Sequence, residues 1–173
     1  MVCVLNGYPK SGKSLFVQYC KEIAQDNLVF EYSTVDFVKL VAAACGWDGQ
    51  KTPKDRKFLS DLKQLLTEWG DVPFKKTLAY IDEIGRISPN AVVFIHCREP
   101  KEIQRFVDHF GNDCVTLLVR RDAVESNDQS NASDANVLDF DYDLTISNNG
   151  TFEDLMNEAQ GFIKMFFGEA GLR

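Results

Sequence analysis

Residues 7–14 read GYPKSGKS and match G-x-x-x-x-G-K-S/T, the pattern of a phosphate-binding loop. This loop follows an apolar stretch, Val2–Asn6, that predicts a strand, and it precedes residues 14–26, whose apolar spacing predicts a helix. The glycines let the backbone wrap around an anion, and the dipole of the following helix favours negative charge. The segment therefore predicts an α/β domain that binds the phosphates of a nucleotide.

Within the loop, each residue type has a distinct chemical role. Lys13 is predicted to place its charge on the β- and γ-phosphates, and the Ser14 hydroxyl is the predicted ligand of Mg²⁺. ATP and Mg²⁺ are thus the expected cofactors. The predicted nucleotide contacts are Gly7, Lys10, Ser11, Gly12, Lys13, Ser14 and Leu15. The alternative is a glycine-rich turn with a surface lysine, and the flanking strand and helix patterns argue against it.

Strand and helix patterns alternate along the rest of the chain. We predict further strands over 28–32, 91–96, 114–119 and 143–147. We predict further helices from about 37 to a stop at Gly46, over 58–69, 73–87 and 100–110, and over 151–167 with Thr151 as its N-cap. Residues 47–57 are expected to form a polar loop. The alternation predicts one domain over 1–173, with a parallel sheet and helices on both faces.

Residues 78–83, LAYIDE, allow two interpretations. As a strand ending in an acidic pair, the segment would make Asp82 a Mg²⁺ ligand and Glu83 the base of an ATPase. However, apolar residues recur every three positions from Leu78 to Ile87. Pro73 precedes them, and proline is favoured in the first turn of a helix. We therefore predict a helix here.

Phosphoryl transfer needs cations around the transferred group. In an open parallel sheet, such groups come from loops at the carboxyl ends of the strands. Three arginines follow predicted strands in this way, so the predicted catalytic residues are Lys13, Arg98, Arg120 and Arg121. A solvated surface position is the alternative for each arginine.

The acceptor is expected to bind to residues 33–70. Ser33, Thr34 and Asp36 follow the second predicted strand, and Asp36 could orient or deprotonate the acceptor. Arg56 could bind an acceptor phosphate. The alternatives are that Ser33 or Thr34 caps the next helix and that Arg56 lies in a solvated turn.

Charge and composition exclude several classes of protein. The net charge is −7, and residues 122–163 contain ten acidic residues and no Lys or Arg, the reverse of a nucleic-acid-binding protein. There is no apolar run long enough to span a membrane and no basic leader, and the five scattered cysteines suggest reduced thiols in a cytoplasmic protein. Residues 121–138 are mostly polar and lack periodicity, and we expect a mobile lid there.

Several motifs together resemble one group of P-loop kinases, which includes phage deoxynucleoside monophosphate kinases and animal-type phosphomevalonate kinases. They are the loop at 7–14, VVFIHCREPKEI at 92–103, LVRR at 118–121, SND at 126–128 and DLTISNNGTFEDL at 143–155. The likeness covers the first 30 residues and about 91–167, and it is looser in between. The family usually has an aspartate where this chain has His96.

This resemblance implies a P-loop NTPase three-layer sandwich with a five-stranded parallel sheet, helices on both faces and a short polar lid. It also implies Lys13 and Arg98 near the transferred phosphoryl group, Arg120 near the nucleotide or the lid, and Asn149, Gly150 and Thr151 near the adenine base.

Three functional hypotheses follow. The first is a kinase that transfers the γ-phosphoryl group of ATP to a small phosphorylated acceptor, with a (deoxy)nucleoside monophosphate as first choice. The second is an ATP-binding or ATP-hydrolysing regulatory protein without acceptor chemistry. The third is a kinase of another phosphorylated metabolite, such as phosphomevalonate. We expect a monomer or homodimer that binds neither nucleic acid nor a membrane.

Overall fold

The computed structural model describes residues 1–26, 28–125 and 136–173. Its centre is a sheet of five strands, β1 (Val2–Asn6), β2 (Val29–Ser33), β3 (Val92–His96), β4 (Cys114–Arg120) and β5 (Leu144–Ser147). The strands lie in the order β2-β3-β1-β4-β5, and every pairing is parallel. All five residues of β1 are buried, because this strand is central and covered on both faces.

Helices cover both faces of the sheet. They are α1 (Lys13–Ile23), α2 (Asp36–Ala44), α3 (Pro53–Gly70), α4 (Val72–Ile87), α5 (Pro100–Phe110), the short α6 (Asp122–Glu125) and α7 (Phe152–Phe167). One hydrophobic cluster packs α1 and α7 against the sheet, and a second packs α4 and α5 against its other face. The predicted three-layer sandwich with a five-stranded parallel sheet is therefore confirmed.

Side chains of the central strand alternate between the two cores, as the period of a strand requires. Cys3 and Leu5 face α1 and α7, whereas Val2 and Val4 face α4 and α5. On the first face, the Phe16 ring of α1 makes edge contacts with Phe94 and Phe162, with centroids 6.1 and 5.7 Å apart. These contacts fix α1, and with it the loop that precedes it, against the sheet.

The predicted polar loop at 47–57 is wrong at its C-terminal end, because α3 already begins at Pro53. Thr52 caps this helix: its hydroxyl accepts a hydrogen bond from the Asp55 backbone N–H, and the Asp55 carboxylate accepts one from the Thr52 N–H. Pro53 at the first helical position needs no hydrogen-bond partner for its nitrogen. Arg56 therefore lies in the first turn of a helix and not in a loop.

The helix predicted for residues 78–83 is confirmed, since the segment lies inside α4. Thr151 caps α7 as predicted, in a capping box with Asp154. The alternative in which Ser33 or Thr34 caps α2 is wrong. The N-cap residue is Val35, and the Asp36 carboxylate in the first turn instead accepts a hydrogen bond from the Ser33 N–H at 2.8 Å.

All five cysteines lie in the described residues and are free thiols. Cys3, Cys20 and Cys97 are buried, and burial raises the pKa of the Cys97 thiol to about 12. Cys114 is partly buried and Cys45 is exposed.

The central part of the predicted lid, residues 126–135, lies outside the described residues. Of its flanks, 122–125 form α6, and Val137 is fully buried against Tyr8 and Leu118. None of the helices in the described ranges combines the length and apolarity needed to cross a bilayer.

Candidate functional site

The phosphate-binding loop lies at the carboxyl end of β1 and runs into α1. Its backbone takes left-handed conformations at Gly7 (φ 147°), Lys10 (φ 64°) and Gly12 (φ 104°). A Cβ atom on Gly7 would lie 2.4 Å from the Val119 carbonyl oxygen. A Cβ atom on Gly12 would lie 2.3 Å from the Asn148 side-chain nitrogen. Glycine is therefore required at both positions, because the backbone φ is positive there and atoms of Val119 and Asn148 lie too close for a Cβ atom.

The polar atoms of this loop converge on its concave side. Lys13 Nζ donates to the carbonyl oxygens of Gly7 and Tyr8 at 2.6 and 2.7 Å, so its charge lies inside the loop. Ser11 is almost fully buried, and its Oγ has no hydrogen-bond partner among the described residues. Buried polar atoms are normally paired, so this orphaned hydroxyl fits a ligand that supplies the missing partner. The loop as a whole fits a nucleotide phosphate chain.

Asn148, in the turn after β5, supports the loop from one side. Its Nδ2 donates to the Ser11 carbonyl at 2.8 Å, and its backbone N–H donates to the Arg120 carbonyl at 2.8 Å. The next residue, Asn149, accepts a hydrogen bond from the Asp122 N–H at 2.8 Å. Asn149 and Gly150, predicted to lie near adenine, thus follow directly a residue that touches the phosphate-binding loop. Asn148 itself was not among the predicted site residues.

A second support comes from Asn6, the fully buried last residue of β1. Its Oδ1 accepts from the Gly7 N–H at 2.8 Å, and its Nδ2 donates to the Arg98 carbonyl at 3.0 Å and to the Tyr142 hydroxyl at 2.7 Å. Tyr142 in turn donates to the Val137 carbonyl at 2.8 Å. Burial raises the pKa of Tyr142 to about 12, so its hydroxyl remains a donor at neutral pH. The Asn6 side chain thus connects the phosphate-binding loop to the segments that contain Arg98 and Tyr142.

The three predicted arginines all lie at this carboxyl edge. Arg98 follows β3 and is exposed, although its backbone is held by Asn6. Arg120 is the last residue of β4 and is half-buried, and Arg121 is exposed between β4 and α6. The fold therefore places all three at the sheet edge that carries Lys13, as the positions after the strands predicted.

The predicted acceptor residues at the end of β2 are engaged in local contacts. Thr34 is buried, and its N–H and hydroxyl both donate to the His96 carbonyl, at 3.2 and 3.4 Å. Asp36 accepts from the Ser33 N–H and pairs with Lys39 at 2.9 Å, with about two-fifths of its side chain exposed. Thr34 thus ties β2 to β3, and Asp36 is the more accessible of these groups.

His96, where the resembling family has an aspartate, is paired with a carboxylate from the neighbouring strand. Its Nε2 lies 3.3 Å from Glu31 Oε2, and Glu31 also pairs with Lys21 at 2.9 Å. Burial lowers the pKa of His96, and the charge of Lys13 acts in the same direction. Burial alone would raise the pKa of Glu31, but hydrogen bonds from Lys21 and His96 bring it below its ordinary value. Sequence reasoning missed Glu31.

An aromatic group lies beside Asp36, on the α4 side of the sheet. The rings of Tyr32 and Tyr80 are stacked with centroids 4.6 Å apart, and Tyr80 donates to the Glu31 carbonyl at 3.2 Å. Lys76 of α4 lies 5.0 Å from the ring centre of Phe37, in the first turn of α2. The pKa values of both tyrosines are raised by burial and by nearby carboxylates, including Asp36. No sequence motif marks this group, which forms only because α4 packs against β2 and α2.

Arg56 has a local contact, because its Nε donates to the Lys51 carbonyl at 3.2 Å. Lys63 of α3 reaches the carboxyl edge, because its Nζ pairs at 2.9 Å with Glu99, the residue after Arg98. The predicted phosphate-binding role of Arg56 gains no support from this placement.

The described residues contain no cluster of His, Cys, Asp and Glu side chains that could hold a metal ion by itself. Ser14 is exposed in the first turn of α1, as a Mg²⁺ ligand of this loop type should be. Mg²⁺ in such sites takes most of its ligands from phosphates and water. The donor set therefore fits a cation that arrives with a nucleotide.

No family model and no curated protein matches the sequence. A dephospho-CoA kinase from Campylobacter jejuni superimposes with a TM-score of 0.50 at 14% identity, covering 95% of this chain and 96% of that chain. A proposed kinase from Chloroflexus aurantiacus gives 0.51 at 10% identity, with the same coverage. The chain has the P-loop NTPase fold. At such low identity the likeness shows the fold alone.

Proposed function

We propose that this protein is an ATP-dependent kinase that transfers the γ-phosphoryl group to a small phosphorylated acceptor, with a (deoxy)nucleoside monophosphate as the first candidate. The observation that carries the proposal is the loop at 7–14. It combines left-handed backbone, an inward lysine and the orphaned Ser11 hydroxyl at the start of a helix. Two kinases share the fold, and we propose the same class of reaction for this chain.

In this proposal, the loop and α1 hold the donor phosphates. Lys13 exchanges its bonds with the Gly7 and Tyr8 carbonyls for bonds to the β- and γ-phosphates. Ser14 holds Mg²⁺, which neutralises phosphate charge when it is bound. Arg98, Arg120 and Arg121 then offset the charge that develops during transfer. Asn149 and Gly150 lie beside the base.

The acceptor is proposed to bind at the carboxyl end of β2, against α2 and α4. Aromatic rings stack favourably on nucleobases, and Tyr32, Phe37 and Tyr80 supply such rings around Asp36. Lys76 adds a positive charge to the same group. An isoprenoid phosphate would gain less from stacked rings, so this aromatic group favours a nucleotide acceptor.

The experiment is ADP release from Mg·ATP, measured alone and with each common ribo- and deoxyribonucleoside monophosphate. We expect strong stimulation by one or a few of them. Lys13→Ala should abolish transfer while the protein stays folded, because the inward charge is lost. Lys164→Ala is the matched control, since this exposed lysine lies in the last turn of α7. A fully active Lys13→Ala protein would refute the proposal.

A second candidate is a regulatory protein that binds or hydrolyses ATP without an acceptor. The observation that favours it is His96, paired with Glu31 where the resembling kinases have an aspartate. ADP release that no acceptor stimulates, or tight ATP binding without release, would support this alternative. Both candidates suit the cytoplasm, where ATP is abundant and thiols stay reduced.

A further inference from the structure

Helix α3 has no buried residue along its 18 positions. Four large apolar side chains, Phe58, Leu62, Leu65 and Trp69, follow one another at spacings of four, three and four residues. We call these four residues the α3 seam. Phe58, Leu65 and Trp69 are 39%, 62% and 84% exposed. This spacing places them on one stripe, the arrangement that packs against another helix in paired helices.

The α3 seam is separate from the contacts that hold α3 in the domain. The helix packs against α2 and α4. Lys63, which reaches Glu99 at the carboxyl edge, is one residue from Leu62 and so lies about 100° around the helix. Large apolar side chains that lie along one stripe of a helix and are exposed to solvent form a patch. Soluble monomers rarely leave such a patch uncovered. The seam therefore lies on a different side of α3 from the residue that reaches the carboxyl edge.

We propose that the α3 seam is the interface of a homodimer in which the two copies of α3 pack antiparallel. This interface does not depend on the proposed function. In the antiparallel arrangement, Phe58 lies over the partner's Trp69, and Leu62 lies over the partner's Leu65. Every contact then occurs twice, as a two-fold axis requires.

The charges along α3 favour a second copy of this chain as the partner, and they favour antiparallel packing of the two helices. Lys57 lies beside the N-terminal end of the seam, and Glu68 lies on the same flank at its C-terminal end. In an antiparallel pair, Lys57 meets the partner's Glu68 at both ends of the interface. A parallel pair would place these two charges at opposite ends. The pair that Lys57 makes with Asp61 is largely exposed and is therefore easily exchanged.

The seam covers about 16 Å of helix, because each residue adds about 1.5 Å. Such an interface lies at the small end of stable interfaces, so we expect dissociation on dilution in roughly the micromolar range. Sedimentation velocity of the full chain from about 1 to 100 µM tests this. We expect a dimer at the upper concentrations and a monomer for Leu65→Lys/Trp69→Lys. Ile87→Lys, which alters an exposed apolar residue on α4, should remain dimeric.

A charge exchange tests the direction of packing. Lys57→Glu and Glu68→Lys should each weaken the dimer about tenfold or more, and the double variant should restore it. Circular dichroism should show all variants folded, since every altered side chain is exposed. A wild-type protein that is monomeric up to 100 µM, or a Leu65→Lys/Trp69→Lys protein that remains dimeric, would overturn the proposal. Failure of the double variant to restore the dimer would overturn the antiparallel arrangement.

Discussion

The Tyr142 hydroxyl should contribute measurably to stability, because it links two buried groups. It accepts a hydrogen bond from Asn6 Nδ2 at 2.7 Å and donates one to the Val137 carbonyl at 2.8 Å. Asn6 and Val137 are both fully buried. Tyr142→Phe keeps the ring and removes both bonds, leaving one donor and one acceptor without partners.

A buried polar group left unpaired costs about 1–3 kcal/mol. Partial relaxation of the half-buried ring reduces the combined effect, so we expect a loss of about 2 kcal/mol in the free energy of unfolding. For a chain of this length, each kcal/mol lowers the melting temperature by about 2–4 °C. Tyr142→Phe should therefore melt about 4–8 °C below the wild type.

Urea unfolding followed by circular dichroism gives the free energy, and an unchanged slope shows that the unfolded state is unaffected. Tyr19→Phe is the matched control, because the described residues offer its hydroxyl no hydrogen-bond partner. The reasoning would be refuted if Tyr142→Phe cost no more than Tyr19→Phe. A double-mutant cycle with Asn6→Ala should give a coupling above about 0.5 kcal/mol, as expected for residues in direct contact.

Two further predictions concern the loop and the His96 pair. Gly12→Ala should weaken Mg·ATP binding about tenfold or more in calorimetry, because its Cβ atom meets Asn148 at a strained φ; unchanged affinity would contradict the close approach. Burial lowers the pKa of His96 below its ordinary value of about 6.5. The charge of Lys13 also lowers this pKa, whereas Glu31 and Asp36 raise it. The unfolded chain therefore takes up a proton first, and stability falls as the pH drops below about 6.5. In urea unfolding between pH 7.5 and 5.5, His96→Gln should lose less stability than the wild type. An equal loss would count against His96 as the source of this pH dependence.

The sequence predicts the parts of the site that are local in the chain. The loop at 7–14 was recognisable because phosphate binding demands fixed residue types at fixed spacing. The strands were recognisable because a buried parallel sheet requires apolar runs. The positions of Arg98, Arg120 and Arg121 then followed from parallel strands having their carboxyl ends at one edge.

Contacts between distant segments could not be predicted in this way. Glu31 and His96 become neighbours only because β2 pairs with β3, and Asn6 meets Tyr142, which lies 136 positions further along the chain. The start of α3 was a different case. Thr52, Pro53 and Asp55 carried a helix-start signal, but the apolar pattern used to place the helix begins only at Phe58.

The hydrogen bonds that hold the phosphate-binding loop have an evolutionary consequence. Those described for Asn6 and Asn148 reach Gly7, Ser11, Arg98, Arg120 and Tyr142, and none reaches the helices between β2 and β3. The bonds that position the phosphate-binding loop are thus separate from α2, α3 and α4, although α4 packs against the sheet through Ile81 and Ile84. Exposed positions of α2 and α3 can therefore change without removing any of these hydrogen bonds. In the proposed kinase, the choice of acceptor can therefore change while the phosphate-binding loop keeps its supports.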